Sequence, residues 1–339
     1  MILIKSKKKN LINIYINKSY NKVNKLLIKK KYLVVFDYNI FFLFFNLIKK
    51  EFNNFLYFIL PFGENIKNIN SLKIIWKYLI INSVNKNFLL IIIGGGVLGD
   101  IFGYICSSYF RGINYILLPT TLLSQVDSSI GGKNAVNFYS KNALGSISYP
   151  IFIYINYIIL FYMKKKEFKD GYSEIIKYSL INSKKFFYYL LKNKRIKKII
   201  IRSCYIKSKI ISQDYYELNY RSVLNLGHTY AHSIENNKIH NYSHGISVSI
   251  GIIFSLFISS FFYKFSIFEL KKIIKLFNLY KFFVKNKLKF TIKMIKKLIL
   301  DKKFDNKINY ILIKKIGSCI KKTLKKPILI NFIKKYYEI

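Results

Sequence analysis

Short apolar runs alternate with longer stretches of mixed polarity through the first third of the chain. The runs 32–36, 54–60 and 88–93 have strand length, whereas the mixed stretch 69–83 has helix length. Strands that alternate with helices predict an α/β arrangement around a parallel sheet. The run 88–93 is continuously apolar, which is typical of a strand that is covered on both faces. Residues 100–110 then predict a helix, and residues 115–118 predict a further strand that Pro119 closes.

The pattern changes beyond residue 160. Proline is absent from 151–326, and the apolar spacing becomes helical through 170–190, 195–213, 220–236, 245–263 and 268–280. We therefore predict a Rossmann-like α/β domain over 1–160 and a mostly helical domain over 161–339. The apolar run 150–163 is shorter than the roughly 20 residues of a membrane span and contains Asn156, so it predicts a buried strand followed by a loop. The first ten residues lack the apolar segment of a signal peptide.

Composition adds little that is specific to a partner. The formal net charge is +43, but only four of the 58 basic residues are arginine, and the lysines are spread along the whole chain. Nucleic-acid readers depend on arginine for paired hydrogen bonds to bases, so no specific nucleic-acid partner is predicted. Cys106, Cys204 and Cys319 lie far apart. This spacing indicates neither a zinc finger nor a disulfide framework, and it favours reduced thiols in a cytoplasmic protein.

Nine of the fifteen glycines lie between residues 94 and 145. Gly94, Gly96 and Gly99 match GxGxxG after a predicted strand and before a predicted helix, where backbone N–H groups can meet a pyrophosphate. A tight turn without a ligand fits the match equally well, and the next strand ends in Leu118-Pro119-Thr120 instead of the expected ribose-binding acid. The loop 125–133 (QVDSSIGGK) favours a ligand, because it suits a polyhydroxylated, anionic small molecule.

All four histidines fall between residues 228 and 244, His240 among them. Spacings of 4, 3, 4 and 3 predict one stripe on a helix for Arg221, Asn225, His228, His232 and Glu235. Such a stripe is ordinarily a solvated polar face. We favour a face that lines a cleft, because the stripe gathers the rarest residue types of the chain.

His228 and His244, at the start of the next predicted helix, can supply two imidazole ligands. A carboxylate would complete a catalytic zinc site with an open position, and Glu174 is the first candidate and Glu217 the second. Glu174, Lys177 and Tyr178 are predicted to share one helix face. A buried histidine pair without metal remains an alternative. The chain has no HExxH motif, so a metalloprotease is not supported.

Six motifs together resemble the 3-dehydroquinate synthase family, in the family's order and close to its spacings, over roughly residues 30 to 320. They are 94–100 (GGGVLGD), 109–112 (YFRG), 118–133 (LPTTLLSQVDSSIGGK), 174–178 (EIIKY), 224–235 (LNLGHTYAHSIE) and 244–245 (HG). The resemblance implies an NAD-binding α/β domain, a helical metal domain, an active site between them and a homodimer.

The resemblance also implies roles for individual residues. As metal ligands it implies Glu174, His228 and His244, with zinc as the metal and cobalt as a possible substitute. As NAD contacts it implies Glu64, Lys67, Gly95, Gly96, Asp100, Thr120, Thr121 and Lys141. As substrate contacts it implies Asp127, Lys133, Asn142, Lys177, Lys207, Arg221, Asn225 and Lys302 or Lys303, with Arg111 from the partner subunit. As proton-transfer residues it implies Glu217 and His232.

The implied reaction converts 3-deoxy-D-arabino-heptulosonate 7-phosphate into 3-dehydroquinate and inorganic phosphate, a lyase step of the shikimate pathway to aromatic amino acids. It involves transient oxidation by NAD, phosphate elimination, re-reduction and an internal aldol closure. Another NAD- and zinc-dependent sugar-phosphate cyclase and an iron- or zinc-dependent polyol dehydrogenase are the alternatives. A non-catalytic basic protein that binds nucleic acid is a further alternative of a different class.

The chain departs from the family's pattern in several places. Asn134 stands where threonine is usual, Ser179 where glycine is usual, and Ile246 where glutamate is common. Phe62 replaces an acid, and 159–162 lacks the usual polar residues. The spacings from Lys133 to Lys141 and from Glu235 to His244 are each one residue short. These departures are compatible with reduced activity or stability, but none of them removes a proposed metal ligand.

Overall fold

Six parallel strands and one antiparallel edge strand form the main sheet of the protein. The computed structural model describes residues 2–5, 11–20, 23, 31–51, 55–164, 167–192, 195–235, 242–282 and 307–338. The strands are β1 (Ile2–Lys5), β2 (Leu11–Asn17), β3 (Lys31–Asp37), β4 (Leu56–Leu60), β5 (Phe88–Gly94), β6 (Tyr115–Pro119), β7 (Lys133–Phe138), β8 (Ser140–Ile147), β9 (Phe152–Asn156), β10 (Lys307–Lys315) and β11 (Ser318–Lys325).

The helices accompany this sheet and continue beyond it. They are α1 (Tyr38–Glu51), α2 (Ile69–Ile81), α3 (Gly96–Ser108), α4 (Glu167–Asn182), α5 (Lys184–Lys192), α6 (Ile196–Gln213), α7 (His228–Glu235), α8 (His244–Phe262), α9 (Ile267–Leu279) and α10 (Lys326–Glu338). The chain divides into two units, one formed by Met1–Lys164 with Ile196–Ser212 and the other by Lys165–Arg195 with Gln213–Ile339. The predicted boundary at residue 160 lies close to the first division, but α6, which we assigned to the second domain, belongs to the first unit.

The sheet of the first unit has the strand order β1-β2-β9-β6-β5-β3-β4. All seven residues of β5 are buried, as the continuous apolar run predicts for a central parallel strand. The chain leaves β3 toward β4 on one side and leaves β5 toward β6 on the other. The carboxyl ends of β3 and β5 therefore flank a topological switch point, the position where open α/β sheets bind their ligands.

The second unit packs helices against a C-terminal hairpin. Its core joins Tyr230 of α7, Phe254 of α8 and Tyr310 of β10, which are all fully or almost fully buried. The hairpin of β10 and β11 is antiparallel and turns at Gly317, which has a φ of 85°. The helical prediction for this half is thus confirmed for most of its length, but the hairpin was not predicted.

One helix in the described part of the chain, α8, is long and apolar enough to cross a membrane by length and composition. However, 61% of its most apolar window is buried inside the protein. That burial is the ordinary state of a core helix, and the residues it buries include Val248, Ile252 and Phe254.

Candidate metal centre and dinucleotide site

Glu174, His228 and His244 come together in the second unit from three separate helices. One ligand atom from each lies within 4.8 Å of the other two. The Nε2 atom of His244 is 3.3 Å from Oε1 of Glu174, and the Nε2 atom of His228 is 3.6 Å from the same oxygen. Two imidazole nitrogens and one carboxylate oxygen are a donor set that suits zinc or a similar divalent ion.

The other nitrogen of each imidazole is already engaged. His228 Nδ1 lies 3.2 Å from the carbonyl oxygen of Leu226, and His244 Nδ1 lies 2.6 Å from Oε1 of Glu235. Because both partners are acceptors, each Nδ1 carries the proton as a donor. Both Nε2 atoms are thereby directed toward Glu174. Hydrogen bonds of this kind orient histidine ligands in metalloproteins.

The charges around the group favour a cation. Burial and the nearby Lys177 ammonium lower the pKa of His228 to about 3. Burial also opposes protonation of His244, but its hydrogen bonds to Glu174 and Glu235 outweigh burial and raise its pKa to about 10. Glu174 is fully buried and forms an ion pair with Lys177, one turn further along α4. A divalent cation would take the place of the positive charge that His244 carries between the two carboxylates.

The predicted single helix over 220–236 is wrong. Residues Tyr220–Asn225 form a 3-10 turn, and α7 begins only at His228. Between them Gly227 has a φ of 80°, a conformation that ends a helix. A Cβ atom on Gly227 would lie 2.8 Å from the backbone nitrogen of Ile252 and 2.9 Å from the carbonyl oxygen of Val248. This close approach to α8 fixes His228, and the stripe of five residues is split into two parts.

The first part of that stripe, Arg221 and Asn225, lies near Glu217. Asn225 donates from Nδ2 to Oε1 of Glu217 at 2.9 Å, and Glu217 has a φ of 60°. Glu217, our second choice for the third ligand, is therefore not in the group with His228 and His244. Arg221 is 4% exposed and donates from its guanidinium to the carbonyl oxygen of Tyr215 at 2.7 Å.

A carboxylate that the sequence analysis missed holds this loop. Asp214 accepts hydrogen bonds from the backbone N–H groups of Leu218, Asn219 and Arg221 at 2.7–3.0 Å. An aspartate just after a helix and before a polar loop is the signal that could have identified it.

The second part of the stripe, which begins at His228, lies at the proposed metal group. The ring of His232 lies 5.8 Å from that of His228, centroid to centroid, on the same helix α7. His240, Lys302 and Lys303 lie outside the described residues.

The glycine turn of the first unit joins β5 to α3 at the switch point. The backbone N–H of Gly95 donates to Asp37, and a Cβ atom on Gly96 would lie 2.6 Å from Oγ of Ser128. Thr120 donates from its backbone to the carbonyl oxygen of Gly94 at 3.0 Å. The glycines thus allow this close packing, and the N-terminus of a helix such as α3 is suited to bind a phosphate.

Asp37 is a carboxylate beside the glycine turn that the sequence pattern did not identify. We expected a carboxylate after β6, whereas it ends β3, the neighbour of β5 on the other side. Asp37 is 8% exposed, and burial raises its pKa. Its Oδ2 would lie 3.2 Å from a Cβ atom on Gly94. A carboxylate at this place is suited to accept hydrogen bonds from ribose hydroxyl groups.

The Lys67 side chain links Asp100, another residue of the predicted NAD set, to Asn142, a predicted substrate contact. Its Nζ lies 2.6 Å from Oδ2 of Asp100 and 2.6 Å from Oδ1 of Asn142. Burial raises the pKa of Asp100 to about 6, although Lys67 lowers it. Glu64 accepts a hydrogen bond from Nδ2 of Asn137 at 3.0 Å. Asn142 therefore lies with cofactor candidates of the first unit.

A recess opens beside the glycine turn. Its lining includes Gly95, Gly96 and Ser128. Nearby in the chain, Asp127 is paired with Lys207 of α6, whose Nζ lies 2.6 Å from Oδ1 of Asp127 and 2.6 Å from its carbonyl oxygen. The two predicted substrate contacts are thus in direct contact.

Four predicted residues lie at the surface of the first unit or close to it. Lys133 and Lys141 are exposed in the hairpin of β7 and β8, and Thr121 binds Ser124 through its side chain at 2.9 Å. Arg111 is exposed and has a φ of 60°, between Phe110 at 49° and Gly112 at 122°.

The structure accommodates the main departures from the family's pattern. Asn134 donates to the carbonyl oxygens of Gly132 and Ser148, and its side chain fills the space beside Gly103. Ser179 is fully buried, and its hydroxyl donates to the carbonyl oxygen of Ile176 at 2.7 Å. The apolar segment 159–162 lies in a 3-10 turn, where Ile159 and Leu160 are buried.

Comparison with known protein families identifies a single family along most of the chain. Residues 57–170 match the model of the 3-dehydroquinate synthase N-terminal domain, and residues 171–304 match the model of its C-terminal domain. The chain is 35% identical to 3-dehydroquinate synthase of Endomicrobium trichonymphae over 86% of this chain and 83% of that protein.

Two further relatives align over a shorter part of their length. The 3-dehydroquinate synthase of Buchnera aphidicola subsp. Cinara cedri is 40% identical over 68% of this chain and 65% of that protein. The enzyme of Pelagibacter ubique is 43% identical over 56% of this chain and 55% of that protein. The chain thus spans less than two thirds of these two relatives.

Solved structures show the same fold at lower identity. A 2-deoxy-scyllo-inosose synthase complexed with carbaglucose-6-phosphate, NAD+ and Co2+ has a TM-score of 0.85 at 21% identity, over 98% of this chain and 99% of that chain. A 2-epi-5-epi-valiolone synthase from Streptomyces hygroscopicus subsp. jinggangensis with NAD+ and Zn2+ has a TM-score of 0.85 at 19% identity, over 96% of this chain and 97% of that chain. By its sequence matches, the chain belongs to the 3-dehydroquinate synthase family.

Proposed function

We propose that this protein is a metal- and NAD-dependent 3-dehydroquinate synthase, a lyase of aromatic amino-acid biosynthesis. Its substrate is 3-deoxy-D-arabino-heptulosonate 7-phosphate, and its products are 3-dehydroquinate and inorganic phosphate. The observation that carries the proposal is the convergence of Glu174, His228 and His244, with both Nε2 atoms directed at one carboxylate oxygen. Membership of the family supports the choice of reaction.

The residues present fit a zinc ion. Glu174 and the two histidines supply one oxygen and two nitrogens, which leaves a fourth position for substrate. A zinc ion held there would lower the pKa of a bound substrate hydroxyl group and so favour its oxidation. Cobalt suits the same donor set. The solved relatives in fold carry Zn2+ in one case and Co2+ in another, which supports either metal.

The first unit fits NAD. The turn Gly94–Gly96 and the N-terminus of α3 are suited to the pyrophosphate, and Asp37 is suited to a ribose. We further assign Glu64, Lys67, Asp100, Thr120, Thr121 and Lys141 to the cofactor. NAD+ bound there would supply transient oxidation at C5 of the substrate, and it would be regenerated before product release, so no net oxidant would be needed.

Protons move through the side chains of the second unit. Oxidation at C5 acidifies the neighbouring carbon, and removal of that proton permits loss of inorganic phosphate. Glu217, which Asn225 holds, and His232, beside the metal group, are the proposed proton-transfer residues. Lys177 neutralises Glu174 and holds its carboxylate in place.

The substrate carries a carboxylate and a phosphate, so it needs cationic partners. We assign Lys207, which Asp127 holds, together with Lys133, Asn142, Arg221 and Lys302 or Lys303 to substrate binding. Ring opening and an internal aldol closure then complete the product. These assignments follow the family's motifs.

We also propose a homodimer in which Arg111 completes the active site of the partner subunit. The left-handed backbone at Phe110 and Arg111 projects an exposed arginine and supports this role, because such a conformation is unfavourable for both residue types. Mixing inactive Arg111→Ala and inactive His228→Ala subunits should restore part of the activity, since some mixed dimers contain one intact site. No recovery after subunit exchange would refute the shared site.

The free thiols of the described chain support a reducing, cytoplasmic location.

The test is turnover of the seven-carbon substrate with zinc and a catalytic amount of NAD+. We expect release of phosphate and formation of 3-dehydroquinate with no lasting rise in absorbance at 340 nm. Steady accumulation of NADH would instead identify a polyol dehydrogenase. Turnover only of a seven-carbon sugar phosphate without the carboxylate would identify a different cyclase. Failure to bind zinc, together with binding to duplex DNA at physiological salt, would support the non-catalytic alternative.

A further inference from the structure

Asp170 lies one turn before Glu174 on α4 and belongs to none of the sites described above. Its Oδ1 atom accepts two hydrogen bonds, one from Oγ of Ser243 at 2.7 Å and one from the backbone N–H of Gly245 at 2.7 Å. The two donors are the residues immediately before and after His244. A single carboxylate oxygen therefore holds the side chain of the residue before one proposed metal ligand and the backbone of the residue after it.

The packing around this contact is tight. A Cβ atom on Gly245 would lie 2.4 Å from Cα of Asp170 and 2.7 Å from the carbonyl oxygen of Lys169. The first turn of α8 thus lies directly against the backbone of α4, at a distance that only glycine permits. Any displacement of Asp170 must displace the residue that follows His244.

The first turn of α8 also depends on Asp170 for its capping. Ser243 occupies the N-cap position, but its side chain makes no capping hydrogen bond within its own helix. Backbone N–H groups in the first turn of a helix have no partner inside the helix. Asp170 satisfies the N–H of Gly245 from outside, so the carboxylate replaces the capping function that Ser243 does not perform.

We infer that Asp170 is a positioning residue of the metal centre and sets the affinity for the divalent ion without touching it. It shares α4 with Glu174 and fixes the start of α8, so it determines how far His244 Nε2 lies from Glu174 Oε1, now 3.3 Å. Metal sites tolerate displacements of only about 0.5 Å in their ligands. This inference rests on the proposed metal-binding function.

The test compares three variants by zinc affinity, measured by chelator competition, and by the absorption spectrum of bound Co2+. Asp170→Ala should weaken zinc binding by about 10- to 100-fold, as removal of supporting hydrogen bonds does in other metal sites, and should alter the Co2+ spectrum. Asp170→Asn keeps an oxygen that accepts both hydrogen bonds, so it should stay within about threefold of wild type. Ser266→Ala is the matched control.

Ser266 caps α9 in the same unit, where its hydroxyl accepts from the N–H of Glu269 at 3.1 Å. Ser266→Ala should lose about as much stability as Asp170→Ala and should keep wild-type zinc affinity. Wild-type affinity in Asp170→Ala would overturn the inference, as would equal losses in the alanine and asparagine variants. If Asp170→Ala does not fold, Ser243→Ala decides, because it removes one of the two hydrogen bonds. An unchanged zinc affinity in Ser243→Ala would also overturn the inference. Absence of zinc binding by the wild type would instead overturn the proposed function.

Discussion

The hydrogen bond between Glu235 and His244 allows a sharp prediction about metal affinity. Oε1 of Glu235 lies 2.6 Å from Nδ1 of His244, and the Glu235 side chain is only 7% exposed. A hydrogen bond to a charged group contributes about 1.5–3 kcal/mol, against about 1 kcal/mol between neutral groups. Loss of this bond should release the ring of His244 from the orientation that directs Nε2 at the metal.

The perturbations are Glu235→Ala, which removes the acceptor, and Glu235→Gln, which keeps an acceptor but removes its charge. We expect zinc affinity to fall by about 10- to 100-fold in the alanine variant, since each 1.4 kcal/mol is tenfold. The glutamine variant should lose about 1 kcal/mol, or roughly fivefold.

The assay is competition with a chromophoric chelator at pH 7.5, with thermal unfolding of the metal-free proteins measured in parallel. Glu269→Gln, a glutamate in the first turn of α9, is the matched control and should bind zinc as wild type does. The reasoning would be refuted if both Glu235 variants bound zinc within about twofold of wild type. It would also be refuted if the glutamine variant were weaker than the alanine variant.

Three further predictions concern other parts of the protein. The carboxyl of Asp100 holds its proton to about pH 6 in the native state against 3.8 in the unfolded state. Urea unfolding should therefore show wild-type stability falling by about 2 kcal/mol relative to Asp100→Asn between pH 4 and 7, and a pH-independent difference would contradict this. Gly227→Ala should lower the free energy of unfolding by more than about 2 kcal/mol, because residue 227 has a left-handed backbone and its new Cβ atom would meet the backbone of α8. Wild-type stability of this variant would contradict the prediction. Asp214→Ala should lower kcat/KM about 10- to 100-fold at unchanged zinc affinity, because it releases the loop that contains Glu217 and Arg221. Loss of zinc binding in this variant would contradict the prediction.

The sheet was largely predictable because its central strands are covered on both faces. A continuous apolar run such as 88–93 is too short to span a membrane and has no polar face for a surface helix, and it proved to be β5. The hairpin of β10 and β11 was missed for the opposite reason. Its strands combine buried isoleucines with many exposed lysines, and this chain carries lysines everywhere.

The metal group was only partly predictable from spacing. The clustering of histidines identifies His228 and His244. For the third position we preferred Glu174 to Glu217, and the family resemblance supported that choice, but spacing alone excluded neither acid. The fold separates them, because α4 brings Glu174 to the histidines while Glu217 turns toward Asn225. Spacing alone does not show which of two carboxylates distant in sequence reaches the histidines, because the packing of the helices decides it.

Two errors have the same physical origin. The break before His228 arises from the close approach of Gly227 to α8, and periodicity within one segment contains no information about a neighbouring helix. Asp37 was missed because the order of strands, not the order of residues, places it beside Gly94. Both features depend on contacts between elements that are far apart in the chain.

Anomalous diffraction from crystals grown with zinc, recorded on both sides of the zinc absorption edge, tests the central claim most directly. We predict one strong peak in the second unit, bonded to Nε2 of His228, Nε2 of His244 and a carboxylate oxygen of Glu174 at about 2.0–2.2 Å. A fully folded protein with no peak at these three side chains, or with its zinc held by other residues, would contradict the account.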